Sequence, residues 1–318
     1  MKIAFKHSAV VPVKTYGGTE RVLYWLMKEL VSMGHEVTLL GPTGCDVMNI
    51  GVKYQTYNSK ISSDRFDVVH FFEPVTKLPK DVPMLVTIHG NGKPGETFHN
   101  NTVFLSKNHA KNHNATCYVY NGIDFSFYPF INSESTLWNN FLFLAKAKWK
   151  VKNLKDCVRA CKKSKKDLYV AGGKTFSLSK MIHSMGMVTD QQKLELFKKC
   201  DALLFPVRWH EPFGIAILEA YSQGLPVICS NYGSLPELVN NKTGIVCGSY
   251  KEFEAAIAKD KNTFDGASIR KYAEEHFSSR IMAEAYLALY KRVIAGEKLN
   301  SEQPKYLGTR HPETLLDF

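Results

Sequence analysis

The feature that most constrains this chain is a rhythm. Short apolar runs alternate with segments of helical period, and the alternation is played twice. In the first half the runs are KIAF (2–5), EVTLL (36–40), DVVHFF (67–72), MLVTI (84–88), VFLS (103–106) and CYVY (117–120). Residues 18–34 set Val22, Leu23, Leu26, Leu30 and Val31 at helical spacing, and Gly34 follows as a stop. Runs that are apolar on both faces and joined by crossovers read as parallel strands of a covered sheet. The second half repeats the pattern with NFLFLA (140–145), DLYVA (167–171), DALLFP (201–206), PVICS (226–230) and GIVC (244–247). Helices are expected at 153–163, 190–199 and 214–223, with two or three more between 250 and 295. The segment 121–139 has no period and is rich in turn formers, which marks a linker. The expected fold class is therefore α/β, with two doubly wound Rossmann-like domains at 1–125 and 126–295. Residues 296–318, broken by Pro304 and Pro312, form a tail or strap.

Such sheets bind ligands outside the carboxyl ends of their strands, so two of them imply a cleft with the domains facing across it. The 318 residues are 44% apolar and 22% charged, enough for two real cores and unlike a disordered chain. No apolar run approaches the ~18 residues of a membrane span. Lys6 and His7 interrupt any signal-peptide core, so no export signal is expected. Seven cysteines without a C-x-x-C point to a reduced, cytoplasmic protein with no disulfide frame.

The chemistry concentrates in WHEPFGIAILEAYSQGLPVICSNYGSLPELV (209–239). Glu211 and Glu219 lie eight apart, and Phe213, Gly214 and Ile215 sit where a loop becomes a helix. Gly214 lets backbone approach a ligand, and the first free amides of a helix attract anions. Glu219 follows Ile215 by four residues and can offer a carboxylate to a diol such as ribose. Glu211, before the helix, can reach a sugar beyond the phosphates. The bland alternative makes Glu211 a first-turn acid and Glu219 a solvated face residue.

These residues resemble a family. E-P-F-G followed by E-A and G-x-P-V-I is similar to the retaining family 4 glycosyltransferases of the GT-B fold. The likeness continues through Tyr16-Gly17-Gly18-Thr19-Glu20-Arg21-Val22, Gly34-His35-Glu36-Val37, Thr87-Ile88-His89-Gly90, Asn121-Gly122-Ile123-Asp124, Pro236-Glu237-Leu238-Val239 and Thr243-Gly244. It implies a nucleotide-sugar donor held mainly by the second domain, with the first domain on the acceptor side. Glu219 would hold the ribose, and Glu211 with the 213–215 backbone would contact the sugar and phosphates. His89 would lie by the sugar, and Gly17-Gly18 would close over the diphosphate. The family's G-R-x-x-x-x-K-G loop reads here from Ala145 to Asn153. Lys146 takes the Arg place, Lys152 matches the Lys, and Ala145 and Asn153 replace the glycines. Lys is a point charge where Arg is a fork.

Breaking an anomeric C–O bond releases a diphosphate whose negative charge must be stabilised. There is no D-x-D, so no metal cofactor is implied; Lys146, Lys152 and the 214 helix start are assigned that work. Retention comes from the resemblance. Same-face attack, with the leaving phosphate taking the acceptor proton, is preferred to a covalent Glu211 intermediate. The 186–188 backbone, ending at Val188, is the expected base-reading loop of a UDP-linked donor.

The net charge of +11 is local. Residues 126–200 hold 15 basic and 5 acidic side chains, and within 146–166 ten are basic with Asp156 alone acidic. Lys148, Trp149 and Lys150 place an aromatic between cations, a pattern suited to phosphate contact and base stacking. The main expectation is thus transfer to a hydroxylated base in DNA, as in phage-type DNA glycosyltransferases, with base flipping. The alternative is a lipid-linked or polysaccharide acceptor, with peripheral membrane contact; an inactive binding protein of the same fold is a further one. Gly172-Gly173-Lys174-Thr175 is rejected as a phosphate loop because Leu168 stands at the first Gly position. His109 and His113 read as solvated residues of a polar helix, and Cys157 and Cys161 as core thiols.

Overall fold

The computed structural model describes all residues except 14–16, 76, 77, 80 and 131–135. Tyr16 of the glycine motif and part of the expected linker therefore lie outside the described residues.

The described chain forms two compact units. The first comprises 1–124 and 277–312, the second 125–276 and 313–318. Each is built on a six-stranded sheet, in the orders β3-β2-β1-β4-β5-β6 and β12-β11-β10-β7-β8-β9. All strand pairs within both sheets are parallel.

In the first unit β1 (Lys2–Lys6) lies centrally, with Ile3 facing Val37 of β2 (Glu36–Gly41) and Val68 of β4 (Val68–Phe71). Its Ile3, Ala4 and Phe5 have no exposed surface. The sheet continues through β5 (Met84–Thr87) to β6 (Thr102–Val103), and β3 (Lys53–Thr56) closes the other edge. The sequence pattern does not announce β3, because KYQT is a half-exposed edge strand without an apolar run. CYVY, expected as a strand, makes only an isolated bridge from Tyr118 to Phe104.

Helix α1 (Gly18–Ser32) buries Val22, Leu23, Leu26 and Leu30 of the stripe expected from their spacing, and leaves Val31 half-buried. Helix α9 (Ser279–Ile294) packs on α1, β4 and β5, so it completes the first unit rather than the second. The reason lies in its buried tyrosines. His70 is hydrogen-bonded to Tyr290 Oη at 2.8 Å and to Thr87 Oγ1 at 2.7 Å, and Thr87 to Tyr286 Oη at 3.0 Å. Buried polar groups require partners, and these tyrosines supply them to the sheet.

The short helix α2 (Lys107–Lys111) and the residues after it correct another expectation. His109 and His113 are buried, not solvated. His109 bonds the Gly90 carbonyl at 3.0 Å and accepts from the Leu105 amide at 3.2 Å. His113 bonds the His109 carbonyl at 2.7 Å and accepts from the Gly92 amide at 2.9 Å. Its ring stacks on Phe104 with centroids 4.6 Å apart, and Tyr306 contributes a further ring.

The second unit's sheet contains β7 (Asn140–Leu144), β8 (Asp167–Ala171), β9 (Ile182–Gly186), β10 (Ala202–Phe205), β11 (Val227–Ser230) and β12 (Gly244–Cys247). Strand β9 (IHSMG) is polar and at an edge, which hides it from sequence periodicity. Helices α3 (Leu154–Ser164), α4 (Asp190–Lys199), α5 (Ile215–Tyr221), α6 (Leu235–Leu238), α7 (Tyr250–Ile257) and α8 (Gly266–Phe277) belong to this half of the chain. Cys157 and Cys161 of α3 are fully buried thiols, as expected. No described helix is long and apolar enough to cross a membrane.

Candidate active site

In a parallel sheet every strand ends on the same edge, so the loops after β7, β9 and β10 converge there. The 206–214 loop after β10 is tied on several sides. Ser230 Oγ donates to the Val207 carbonyl and Ser234 Oγ to that of Phe213, both at 2.6 Å. Asn153 Nδ2 donates to the Pro206 carbonyl at 2.9 Å, and the Arg208 amide to that of Val151 at 2.8 Å. Gly233 passes so close that a Cβ there would overlap the backbone of Glu211.

This loop holds Glu211 at 7% exposure. Its Oε2 accepts from Lys152 Nζ and from Trp209 Nε1, both at 2.6 Å. The Lys152 ammonium lies 5.1 Å from the ring centroids of Trp149 and Trp209 and 5.2 Å from that of Phe205. A carboxylate and three aromatic faces thus compensate for its burial.

A second carboxylate is held by the same device. Glu219 of α5 is 6% exposed, and its Oε1 accepts from Lys193 Nζ at 2.5 Å and Tyr128 Oη at 2.9 Å. Lys193 reaches in from α4 and also lies 3.4 Å from Asp190. Arg270 of α8 fixes the Tyr128 segment by donating to the carbonyls of Tyr128 at 2.7 Å, Ser222 at 2.5 Å and Phe125 at 3.1 Å. In both glutamates one oxygen is clamped by an ammonium and a neutral donor. Among the described residues no hydrogen bond is made to the other oxygen of either. Burial overturns the solvated-face alternative for Glu219, and Glu211 lies in the loop before α5, whose first turn holds no acid.

Between the glutamates, Phe213 is buried and Ile215 half-buried. Gly214 caps α5 at φ 93°, the left-handed region that favours glycine. Val188 is half-buried just beyond β9, before Thr189 caps α4 with its side chain. The Asn153 that replaces the family glycine adopts φ 60°, ψ 41°, a conformation Asn tolerates. It donates to Asp156 Oδ2 at 2.9 Å, so the change preserves the turn. Where Ala145 replaces the other glycine, the close approach falls to Gly172, whose Cβ would overlap the Ala145 carbonyl.

The basic segment is less available than its composition suggests. Lys152 and Lys166 are buried, the latter bonded to Asn139 Oδ1 at 3.0 Å. Lys163 pairs with Glu254 at 2.5 Å, and Arg159 lies 4.3 Å from the Tyr250 ring centroid. Trp149 is not a free stacking platform. It packs edge-on against Trp209 at 4.8 Å, with Lys146 at 6.0 Å and Lys152 at 5.1 Å over its ring. Lys148 and Lys150 are exposed.

The remaining predicted residues lie in the first unit. Gly17 and Gly18 are half-buried at the start of α1; a Cβ on Gly17 would meet Glu20 Oε2 at 2.5 Å. His89 is half-buried just after β5 and packs on Phe72, centroids 4.4 Å apart. Burial, with the nearby His7, pulls its pKa down to about 3, so it is a neutral imidazole. His7, at the carboxyl end of β1, is 5% exposed, with Glu20 and Glu73 each 3.7 Å from its ring nitrogens. The neighbouring His7 ring keeps the Glu20 carboxyl below its usual range.

Sequence reasoning missed His7, Glu73, Tyr128, Lys193, Trp209 and Arg270. Trp209 stood two residues from Glu211 and was open to discovery; the others come from distant segments without a motif. Among the described residues no three or more His, Cys, Asp or Glu cluster as metal ligands.

Two doubly wound parallel units, one carrying clamped carboxylates at its carboxyl edge, define the GT-B class. The sequence model described as glycosyl transferases group 1 matches residues 130–263, so the second unit is a group 1, or family 4, glycosyltransferase domain. The chain is 42% identical over 87 residues to the O-antigen chain mannosyltransferase B of Escherichia coli, covering 27% of this chain and 19% of that protein. It spans less than a third of the length of the curated relatives it matches. The crystal structure of AviGT4, a glycosyltransferase involved in avilamycin A biosynthesis, superposes with TM-score 0.73 at 20% identity, covering 93% of this chain and 98% of that one. Anabaena HepE, solved with UDP and glucose, gives TM-score 0.62 at 14% identity over 92% and 99%.

Proposed function

We propose that this chain transfers a sugar from a nucleoside-diphosphate sugar to a hydroxyl of a glycan or lipid-linked glycan, with retention of configuration. The observation that carries the reading is the pair of buried, half-clamped carboxylates flanking the 213–215 turn. The clamps hold each side chain still, and the second oxygen is left to accept hydroxyl hydrogen bonds. Glu219 takes the ribose and Glu211 the donor sugar. Lys152, Lys146 and the 213–215 backbone neutralise the diphosphate, and the Val188 backbone reads the base. His89, Gly17 and Gly18 keep the roles the resemblance implies, with His89 acting as a neutral hydrogen-bonding group. The anomeric C–O bond breaks with its electron pair leaving on the diphosphate; the acceptor oxygen attacks the same face and its proton passes to the leaving phosphate.

A UDP-linked donor is supported by HepE, solved with UDP. For the acceptor, the name of the mannosyltransferase relative refers to a surface glycan, and none of the reported relatives' names mentions DNA. The engaged ring of Trp149 also removes the base-stacking argument, so the DNA reading gives way to the glycan one. The test is a thermal-shift screen of UDP-, GDP- and ADP-sugars, followed by turnover on lipid-linked oligosaccharides and NMR of the new linkage. A raised melting temperature and an anomeric configuration matching the donor are expected. If no nucleotide sugar raises the melting temperature, the donor reading is wrong.

A further inference from the structure

The segment that follows β8 has an inverted pattern. From 174 to 180 the chain alternates, and Lys174, Phe176, Leu178 and Lys180 face outward while Thr175, Ser177 and Ser179 are half-buried. An ordinary surface loop would show its hydroxyls to water and tuck its large apolar groups in. Here Phe176 is 87% and Leu178 90% exposed. The inward hydroxyl residues are engaged: the Thr175 amide donates to Ser184 Oγ at 3.0 Å, and the Ser179 amide to Ser177 Oγ at 3.2 Å. The segment returns onto β9 through a Gly173–Gly186 bridge, and Met185 and Met187 on either side of Gly186 are 43% and 54% exposed. Single exposed apolar residues are unremarkable, but Phe176 and Leu178, two apart and bracketed by Lys174 and Lys180, make a tip that asks for a partner.

We infer that this 174–187 hairpin is a docking surface for an anionic lipid bilayer. The surrounding charge selects that occupant. Lys174 and Lys180 flank the apolar tip, and exposed Lys146 and Lys148 lie in the loop that meets Gly173. Lysines held at the headgroup level while a Phe and a Leu enter the acyl boundary is the arrangement of an interfacial anchor. This inference stands on exposed side chains and does not require the proposed transfer reaction.

The test is co-sedimentation of the full chain with phosphatidylcholine vesicles, with and without about a third phosphatidylglycerol. Binding is expected on anionic vesicles alone, weakening with salt. Lys174→Glu with Lys180→Glu should cut partitioning by about fivefold or more per lysine. Phe176→Ser with Leu178→Ser should abolish it. Both variants should keep the parent's melting temperature and nucleotide-sugar response, which separates a docking failure from a failure of the donor reading. Equal binding to neutral vesicles, or anionic binding unchanged in both variants, would overturn the proposal. So would a patch-dependent dimer in sedimentation velocity, or patch-dependent binding to duplex DNA, without vesicle binding.

Discussion

The two units share a topology and differ in how they keep polar groups inside. The first uses imidazoles. His70, His89, His109 and His113 all have pKa values pulled down by burial, to about 3 for His89 and about 4 for His113. The second uses ion pairs, Lys152 with Glu211 and Lys193 with Glu219, each joined by a neutral donor. The neutral rings offer hydrogen bonds without charge, and the pairs hold charge in place before any ligand arrives. One topology has therefore met the same need with neutral rings in one unit and with paired charges in the other.

The largest effect should come from breaking a pair. Lys152→Met strands Glu211 among aromatic rings, and losing one partner of a buried pair typically costs about 3–5 kcal/mol. Urea unfolding of the second unit should report that loss, with turnover gone as well. If Lys152→Met keeps parental stability, the pair is not the structural hinge of the 206–214 loop. Glu211→Gln retains an acceptor for Trp209 and should unfold less readily than Lys152→Met while losing turnover.

Acid should then separate the units. Between about pH 6.5 and the depressed native values, the unfolded chain binds protons that the buried imidazoles refuse, so stability falls as pH drops. Each such histidine contributes about 1.4 kcal/mol per pH unit within that window. The window reaches down to about 4 for His113 and about 3 for His89. In the second unit His210 is lowered by burial, against His70, His89, His109 and His113 in the first. Amide protection in β4 and β5 should therefore decline from pH 7 to 5 more steeply than in β10 and β11. Equal declines would erase the contrast.

What the sequence discloses follows the same divide between local and distant causes. Central strands such as KIAF and DALLFP are buried on both faces, so their composition alone reveals them. The edge strands KYQT and IHSMG are half wet and carry no such mark. His109 and His113 looked solvated because their helix is polar; their burial is made by Phe104 nearby and by Tyr306 from far along the chain. Helix α9 was expected only as one of two or three helices between 250 and 295, and an apolar face does not say which sheet it covers. Glu211, Gly214 and Glu219 were legible because a turn and a spacing bind them locally. Their clamps, Tyr128 and Lys193, are 91 and 26 residues from Glu219, and no local pattern points to them.

The second pair is read through ligand affinity, with Lys193 keeping Asp190 3.4 Å away when its carboxylate partner is lost. Glu219→Ala removes the unbonded oxygen together with the clamped one, and should weaken nucleotide-sugar affinity by about tenfold to a hundredfold, the worth of one or two charge-assisted bonds. Calorimetric titration measures this directly, and parental affinity in the variant would remove Glu219 from the ribose role.

At the bottom of the scale stand Lys148 and Lys150. Both are exposed, unlike Lys152 two residues further on, which is buried against Glu211. Surface substitutions away from special contacts stay within about 0.5 kcal/mol. Lys148→Ala with Lys150→Ala should therefore leave the melting temperature and donor affinity unchanged, whereas Lys152 tolerates no such exchange. Three lysines at alternate positions would then differ entirely by burial, and a clear loss of donor affinity in the double variant would show that the exposed pair, not the clamp, supplies the phosphate charge.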